Sequence, residues 1–221
     1  MAARAKLRST LTDPLIRQNP ITLQILGICS ALAVTTSLDT ALTMSASLTV
    51  VLILAAGIIS VIRKFIPSTI RLIVQITIVA SLVIVIDQVL QAYFYDISRR
   101  LSVFVSLITT NCLVLGRTES FARNNPPVPS MVDALGNGLG YSLILIVIGA
   151  LREIFGRGKL FGAEILPTVD QGGWFTPFNL MLLAPSAFFM LGGLVWAIRT
   201  VLPEQVEPTD HVQPEVEEAR R

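Results

Sequence analysis

The length of the charge-free runs is the feature that most constrains how this chain can fold. No charged side chain occurs in residues 101–116, 134–151 or 171–198, and Asp39 is the only charge from position 18 to position 62. About 20 apolar residues cross roughly 30 Å of hydrocarbon as an α-helix. The runs therefore predict an integral membrane protein.

The composition of the 221-residue chain agrees with this prediction. Hydrophobic residues make up 52% and charged residues 14% of the chain, and the mean hydropathy is +0.69. Soluble domains carry about 25% charged residues. The alternation typical of a barrel strand is absent, and a helix satisfies its own backbone polar groups in lipid. The predicted fold class is therefore all-α.

Polar and proline-containing breaks divide the chain into six predicted transmembrane helices. Pro20 suits the first turn of a helix, the prolines between 124 and 130 are typical of a helix break, and Pro185 indicates a kink. No cleavable signal peptide is indicated, so we expect the first span to be retained. The predicted spans are 20–36, 39–62, 69–94, 98–116, 132–155 and 177–199.

The charges outside these spans predict the orientation. The segment 1–19 is basic, the membrane domain covers 20–200, and the acidic composition of 201–221 is typical of a disordered tail. Lys and Arg are more frequent on the side that holds both termini, so both termini are predicted to be cytoplasmic. The net charge of +2 combines two opposite ends and gives no indication of a nucleic-acid partner.

A weak internal repeat relates the two halves of the membrane domain. A shift of 81 positions superimposes leucines of the first and fourth spans and leaves Cys29 and Cys112 two positions out of step. Each half, about 20–95 and 96–200, then holds three spans, and an odd number of spans gives the halves opposite orientations. Chance similarity of leucine-rich segments is the alternative. We predict two inverted three-helix repeats, each beginning with a short or broken cysteine-bearing helix.

Cys29 and Cys112, the only two cysteines, both lie inside charge-free stretches. One interpretation is that they are small buried hydrophobic residues. A disulfide is disfavoured because thiols inside the membrane are shielded from the oxidising side. The other interpretation is metal binding, but iron–sulfur clusters usually take four thiolates. The single histidine, His211, lies in the tail, so a related second subunit would have to supply the other ligands.

The residues beside the two cysteines suit such a site. Small residues allow close backbone approach, and polar ones offer hydrogen-bond donors to sulfur. They are Gly27, Ser30, Ala31, Thr109, Thr110 and Asn111.

Two acidic side chains are candidates for a sodium path. Asp87 lies in an apolar segment, where an ionisable group is costly and indicates a function, although the end of a span also gives access to water. Asp133, at the entrance of the fifth span, is most simply an acid favoured by the helix dipole, and we keep it as a second candidate. Arg152 and Glu153, at the end of the same span, are interpreted as interfacial charges.

The segment GNGLG at 136–140 has the glycine content of a nucleotide-binding loop. It lies inside an apolar run with no preceding strand, so the dinucleotide interpretation fails its structural requirement. Close helix packing through small residues explains it better.

Several stretches together resemble a known family. They are NPITLQILGICSALAVT, RLIVQITIVASLVIVIDQVLQAYFYDIS, LSVFVSLITTNCLVLGRTE, DALGNGLGY and GGWFTPFNLMLLAPSAFF. The chain is similar, over nearly all of its length except the terminal tails, to the family that contains the D subunit of the sodium-translocating NADH:quinone oxidoreductase and the E subunit of the Rnf complex.

The resemblance implies a fold and a role. It implies six helices in two inverted halves and a 2Fe-2S cluster in the membrane, with Cys29 and Cys112 as two of its ligands. The paralogous six-helix E subunit of the oxidoreductase would supply the other two cysteines. Electrons from NADH would reach quinone through flavins and iron–sulfur centres on other subunits, while the complex exports sodium across the bacterial inner membrane. The chain would then be an enzyme subunit that is not catalytic alone.

Two other classes of function stay open at this point. One is a transporter or channel whose inverted repeats move an ion with no redox step. The other is an assembly scaffold. Within the redox class, resemblance alone does not separate the sodium-pumping oxidoreductase from an Rnf-type complex.

Overall fold

The computed structural model describes residues 10–11, 14, 19–67, 70–93, 107–160, 163–164, 181 and 183–201. A π-helical turn, Thr118–Ala122, directly follows the helix that ends at Arg117. Two short strands, β1 (Lys159–Leu160) and β2 (Ala163–Glu164), form an antiparallel ladder after the helix that ends at Arg157. The helices with described bounds are α1 (Ile28–Val34), α2 (Leu38–Ile62), α3 (Arg71–Tyr93), α4 (Cys112–Arg117), α5 (Pro127–Arg157) and α6 (Ala184–Val201).

Three helices in the described part of the chain are long and apolar enough to cross a membrane. They are Leu38–Ile62, Arg71–Val89 and Pro127–Gly156, and Pro185–Val201 is a shorter apolar helix. The prediction of a helical membrane protein is therefore confirmed. The count of six spans and their inverted repeat stay predictions, and the terminal segments 1–19 and 201–221 fall almost wholly outside the described residues.

The first predicted span, 20–36, is broken, as predicted for the cysteine-bearing helices. Residues 19–27 form turns, and α1 begins only at Ile28. Ile25 and Gly27 have φ values of 55° and 81°, in the left-handed region that an α-helix cannot contain. Of the predicted span 98–116, residues 98–106 lie outside the described part. In the remainder, helical residues 107–109 are followed by a break before α4 begins at Cys112.

Two further predictions concern proline positions. Helix α5 begins at Pro127, five residues before the predicted start at 132, because a proline in the first turn lacks only an N–H that needs no helical partner. Pro185 is the second residue of α6 and lies in the first turn of this helix, while residues 177–180 and 182 of the predicted span fall outside the described part.

Helices α2 and α5 pack against each other in antiparallel directions and form the centre of the fold. Glu153, near the end of α5, accepts a hydrogen bond from the N–H of Leu38 at the start of α2 (2.8 Å). At the opposite end, the Ser60 hydroxyl donates to the Asn125 carbonyl just before α5 (2.6 Å). The buried side chains between them are Leu48, Val51, Leu52, Ala55, Ile144, Leu145 and Ile148.

Small residues allow this close approach. A Cβ atom at Gly138 would lie 2.8 Å from Cγ2 and Oγ1 of Thr49, and one at Gly149 would lie 3.4 Å from the Cβ of Ala41. Gly138 belongs to the segment 136–140, so the prediction that this segment serves helix packing is confirmed. Its glycines provide space for neighbouring backbone and side chains.

We predict that Gly138→Ala destabilises the protein whereas Gly192→Ala does not. Thr49 cannot turn away from a new methyl group without losing its hydrogen bond to the Ser45 carbonyl (2.7 Å), so overpacking should cost about 1–3 kcal/mol. A Cβ atom at Gly192 would meet no other atom within 4 Å, and both changes gain the same helix propensity. Thermal unfolding of the purified complex measures the difference, and equal melting temperatures would refute the close contact.

Candidate functional site

Both cysteines are free thiols at the starts of short helices, and both are exposed on the surface of this chain. Cys29 is the second residue of α1, and Cys112 is the first residue of α4. Helix starts leave backbone N–H groups without intrahelical partners, and such groups can donate hydrogen bonds to sulfur. The two thiols therefore have the position and the chemistry of metal ligands or redox groups.

A direct hydrogen bond joins the two helix starts. The backbone N–H of Gly27, the N-cap of α1, donates to Sγ of Cys112 at 2.9 Å. Donors from the polar neighbours of the cysteines stay a prediction, and the donor to Cys112 that the structure describes is this backbone amide. Close backbone approach at Gly27, which the sequence did indicate, makes the bond possible.

Three buried polar side chains surround this junction. The Ser30 hydroxyl lies 2.6 Å from the Tyr141 hydroxyl and donates to the Gly27 carbonyl at 2.9 Å. The Asn111 amide nitrogen donates to the Ser30 hydroxyl oxygen at 2.9 Å. Ser30, Asn111 and Tyr141 are 3%, 4% and 0% exposed. A single chain of hydrogen bonds thus links α1, α4 and α5.

The starts of α1 and α4 meet about halfway along α5, at Tyr141. The last turn of α1 reaches Arg152, whose NH1 group donates to the hydroxyl of Thr35 at 2.7 Å. The last residue of α4, Arg117, reaches Asp133. Positions 133 and 152 lie about 12 Å and about 17 Å along the helix axis from Tyr141, on opposite sides. The two short helices therefore run in opposite directions from a common level, towards what we call the Arg152 end and the Asp133 end.

Side chains satisfy the backbone groups that these broken helices leave unpaired. The Asn111 side chain caps α4 by accepting from the N–H of Leu113 at 2.9 Å. Asn19, which is 2% exposed, accepts from the N–H of Ile21 at 3.0 Å and donates to the Gly140 carbonyl at 3.0 Å. Backbone breaks at membrane depth require such partners.

Asp133 forms an ion pair. Its carboxylate contacts both the NH2 and the Nε groups of Arg117, the second at 3.1 Å, and the Arg117 guanidinium lies 5.5 Å from the ring centroid of Phe121. Asp133 lies in the second turn of α5, and its residue is 4% exposed. The structure thus gives Asp133 a specific cation beyond the helix dipole.

Asp87 lies on α3, away from the cysteine junction. Its Oδ2 accepts from the Gln91 side chain at 2.7 Å, and its Oδ1 is buried without a hydrogen-bond partner among the described residues. The structure therefore does not bring together the four residues predicted for the site. The helix starts that carry the two cysteines meet, while Asp133 and Asp87 lie at separate positions.

Arg152 and Glu153, which are predicted to be interfacial charges, are buried within the protein. Arg152 is 0% exposed and donates to the carbonyls of Leu32 (3.2 Å) and Leu183 (3.3 Å), besides Thr35. Glu153 is 5% exposed and caps α2. Together they fix the far end of α1 and the start of α2 because each supplies charge-assisted hydrogen bonds to otherwise unpaired backbone groups.

Comparison with known proteins identifies the family. A family described as "Rnf-Nqr subunit, membrane protein" matches residues 7–195. The chain belongs to the Rnf-Nqr family. Relatives named as the D subunit of the Na(+)-translocating NADH-quinone reductase are 59% identical in Shewanella frigidimarina and Shewanella denitrificans and 58% identical in Shewanella loihica. Each match covers 94% of this chain and 99% of the relative, so the predicted resemblance is confirmed.

This Rnf-Nqr chain can supply only part of a metal site. The sequence contains two cysteines, and no group of three or more His, Cys, Asp or Glu side chains comes together within the described ranges. Two exposed thiols at helix starts that a hydrogen bond joins match half of a four-thiolate site. The two thiols therefore fit two of the four ligands of an iron–sulfur cluster.

Tyr141 is the part of the site that the sequence alone did not indicate. A tyrosine inside an apolar span needs a hydrogen-bond partner, which is a signal that could have identified it. Its partner, Ser30, lies more than a hundred residues away in the chain. The pairing therefore depends on the fold of this Rnf-Nqr protein and is not visible in the local sequence.

Proposed function

We propose that this chain is a membrane subunit of a respiratory NADH:quinone oxidoreductase that couples electron transfer to sodium export. Its part is to hold one half of a 2Fe-2S cluster through Cys29 and Cys112. The observation that carries the proposal is the pair of exposed free thiols where two oppositely directed helix starts meet. The relatives named as the D subunit of such a reductase support the assignment to this type of complex.

The other two ligands come from a partner. Four thiolates are needed, and the partner must present its own pair at the same depth of the membrane. The paralogous E subunit, with the same inverted architecture, meets this requirement across a pseudo-twofold axis. The exposure of both cysteines supports this arrangement because the face that carries them is open to a second protein.

A cluster at this position supplies one-electron transfer within the membrane, between cofactors that other subunits hold. NADH, flavins and quinone bind to those other subunits. The residues of this chain orient two sulfur atoms, donate one backbone hydrogen bond to Cys112, and place the pair near the middle of α5.

The directions of the helices support the inverted repeat. Helix α1 runs antiparallel to α4, and α2 runs antiparallel to α5. Helix α3 starts at the Asp133 end, where Arg71 pairs with Glu119 at 2.8 Å, whereas the segment before α6 contacts Arg152. An antiparallel relation between corresponding helices is what two inverted halves of three spans require.

An offset of 83 positions relates the two halves more closely than the shift of 81. It matches Cys29 with Cys112 and also Thr35 with Thr118. Both threonines are fully buried just beyond a short helix, and each hydroxyl donates to the carbonyl four residues earlier, at 2.7 Å and 2.9 Å. These equivalent roles support a true repeat over chance similarity.

The positions of the basic residues support cytoplasmic termini in a bacterial inner membrane. At the Asp133 end, Arg63 donates to the Arg123 carbonyl at 3.4 Å, and both Arg71 and Arg123 pair with Glu119. The Arg152 end has three basic residues in the described part of the chain, the buried Arg152 together with Arg157 and Lys159, which is fewer than the Asp133 end has. Because exposed Lys and Arg mark the cytoplasmic side, we place the Asp133 end there.

Asp87 is the stronger of the two candidates for the sodium path. The charge of Asp133 is already balanced by Arg117, whereas one carboxylate oxygen of Asp87 has no hydrogen-bond partner among the described residues. An acidic group at membrane depth with an unused oxygen can ligate a cation.

We predict that Cys29→Ser removes the electron paramagnetic resonance signal of the cluster from the purified complex. A serine hydroxyl is a poor substitute for a thiolate, and the loss of one of four ligands should abolish the site. The subunit content and flavin content of the complex are the controls for assembly. An unchanged signal with full electron transfer to quinone would refute the assignment.

We also predict that Asp87→Ala raises the sodium concentration needed for half-maximal turnover by roughly tenfold, equivalent to about 1.4 kcal/mol of binding free energy. The matched control is Asp39→Ala, which removes an exposed acid in the first turn of α2. The sodium dependence of quinone reduction measures both. Wild-type sodium dependence in Asp87→Ala would exclude Asp87 from the path.

A further inference from the structure

The backbone N–H of Gly27 is positioned against the Cys112 sulfur by the fold around it. Gly27 has a φ of 81°, and a Cβ at this position would lie 2.8 Å from Cε2 of Tyr141. The Tyr141 ring therefore lies directly against the Gly27 backbone. It limits where the amide can point.

The Ser30 hydroxyl is at the centre of the same arrangement. It donates to the carbonyl of Gly27 at 2.9 Å, and its oxygen receives the Asn111 amide at 2.9 Å. Asn111 directly precedes Cys112 in the chain. Ser30 thus connects Gly27, which carries the donor N–H, to Asn111, which precedes the accepting cysteine. The Tyr141 hydroxyl also forms a hydrogen bond with Ser30.

We propose that Tyr141, Ser30 and Asn111 are positioning residues that hold the Gly27 amide on the Cys112 sulfur and thereby raise the reduction potential of the site. This inference rests on the cluster function proposed above. A donated N–H stabilises negative charge on a thiolate ligand, and hydrogen bonds to the sulfur atoms are among the determinants of cluster potential. One electron arrives from a reduced cofactor upstream and leaves to an oxidised one downstream. No covalent bond forms or breaks.

The burial of the three side chains makes this effect specific. All three are at most 4% exposed, so water cannot replace a deleted partner at no cost. The Ser30 hydroxyl restrains the peptide unit that follows Gly27, and the Tyr141 hydroxyl and the Asn111 amide restrain Ser30. Removal of either hydroxyl loosens the backbone at Gly27 and thereby weakens the N–H to sulfur bond. The reduced state, which carries the additional negative charge, then loses more stabilisation than the oxidised state.

The test is a potentiometric titration of the electron paramagnetic resonance signal in the whole purified complex. Tyr141→Phe and Ser30→Ala should each lower the midpoint potential. At a fixed ambient potential, the ratio of reduced to oxidised cluster should then fall by about three- to tenfold, which is the range expected for one buried hydrogen bond. Ser142→Ala is the matched control. Its hydroxyl donates to the Gly138 carbonyl within α5 and takes no part in the junction, so its midpoint should equal that of the wild type.

The outcomes separate this inference from the proposed function. If the signal is absent from the wild-type complex, or persists in Cys29→Ser, the cluster assignment itself fails. If the signal is present and requires Cys29, but Tyr141→Phe and Ser30→Ala both titrate like the wild type, the positioning role is refuted and the cluster assignment stands. Should Tyr141→Phe fail to assemble, Ser30→Ala alone decides the question.

Discussion

Two short helices, α1 and α4, begin beside each other near the middle of α5, and the rest of the structure depends on how their unpaired backbone groups are satisfied. A helix start leaves four N–H groups without intrahelical partners, and lipid offers no replacement. Asn111 and Asn19 supply side-chain partners, and the Cys112 sulfur accepts the Gly27 amide. Cys112 therefore accepts a hydrogen bond from an otherwise unpaired backbone N–H, in addition to being a candidate ligand of a redox site.

The same constraint explains the roles of α2 and α5. Broken helices of six and seven residues are too short to be stable alone, so longer neighbours must hold them. Helix α5 contacts α1 through Tyr141 and Arg152 and contacts α4 through Asp133. Its antiparallel packing on α2 provides the rigid support for these contacts, and Gly138 allows the two helices to approach closely.

The sequence predicted the helical membrane fold and the two cysteines because charge-free runs and rare thiols are local signals. It predicted short or broken helices at the cysteines but not that the first break covers 19–27, since apolar turns such as that at Ile25 have the composition of a membrane helix. The Ser30–Tyr141 and Arg152–Thr35 bonds join residues more than a hundred positions apart, and no single-sequence pattern reports such pairings. Arg152 in particular lies near the end of an apolar run, which is the usual position of an interfacial charge. Only its hydrogen bonds to α1 and to the segment before α6 show that it is buried.

The measurement that tests the account most directly is iron and acid-labile sulfide analysis of this chain, purified alone and together with the paralogous partner subunit. A half site with two thiolates predicts iron at cluster stoichiometry in the pair and none in the isolated chain. A stoichiometric cluster in the isolated chain would contradict the shared geometry. The absence of iron from both samples would contradict the redox function and would favour an ion transporter or a scaffold.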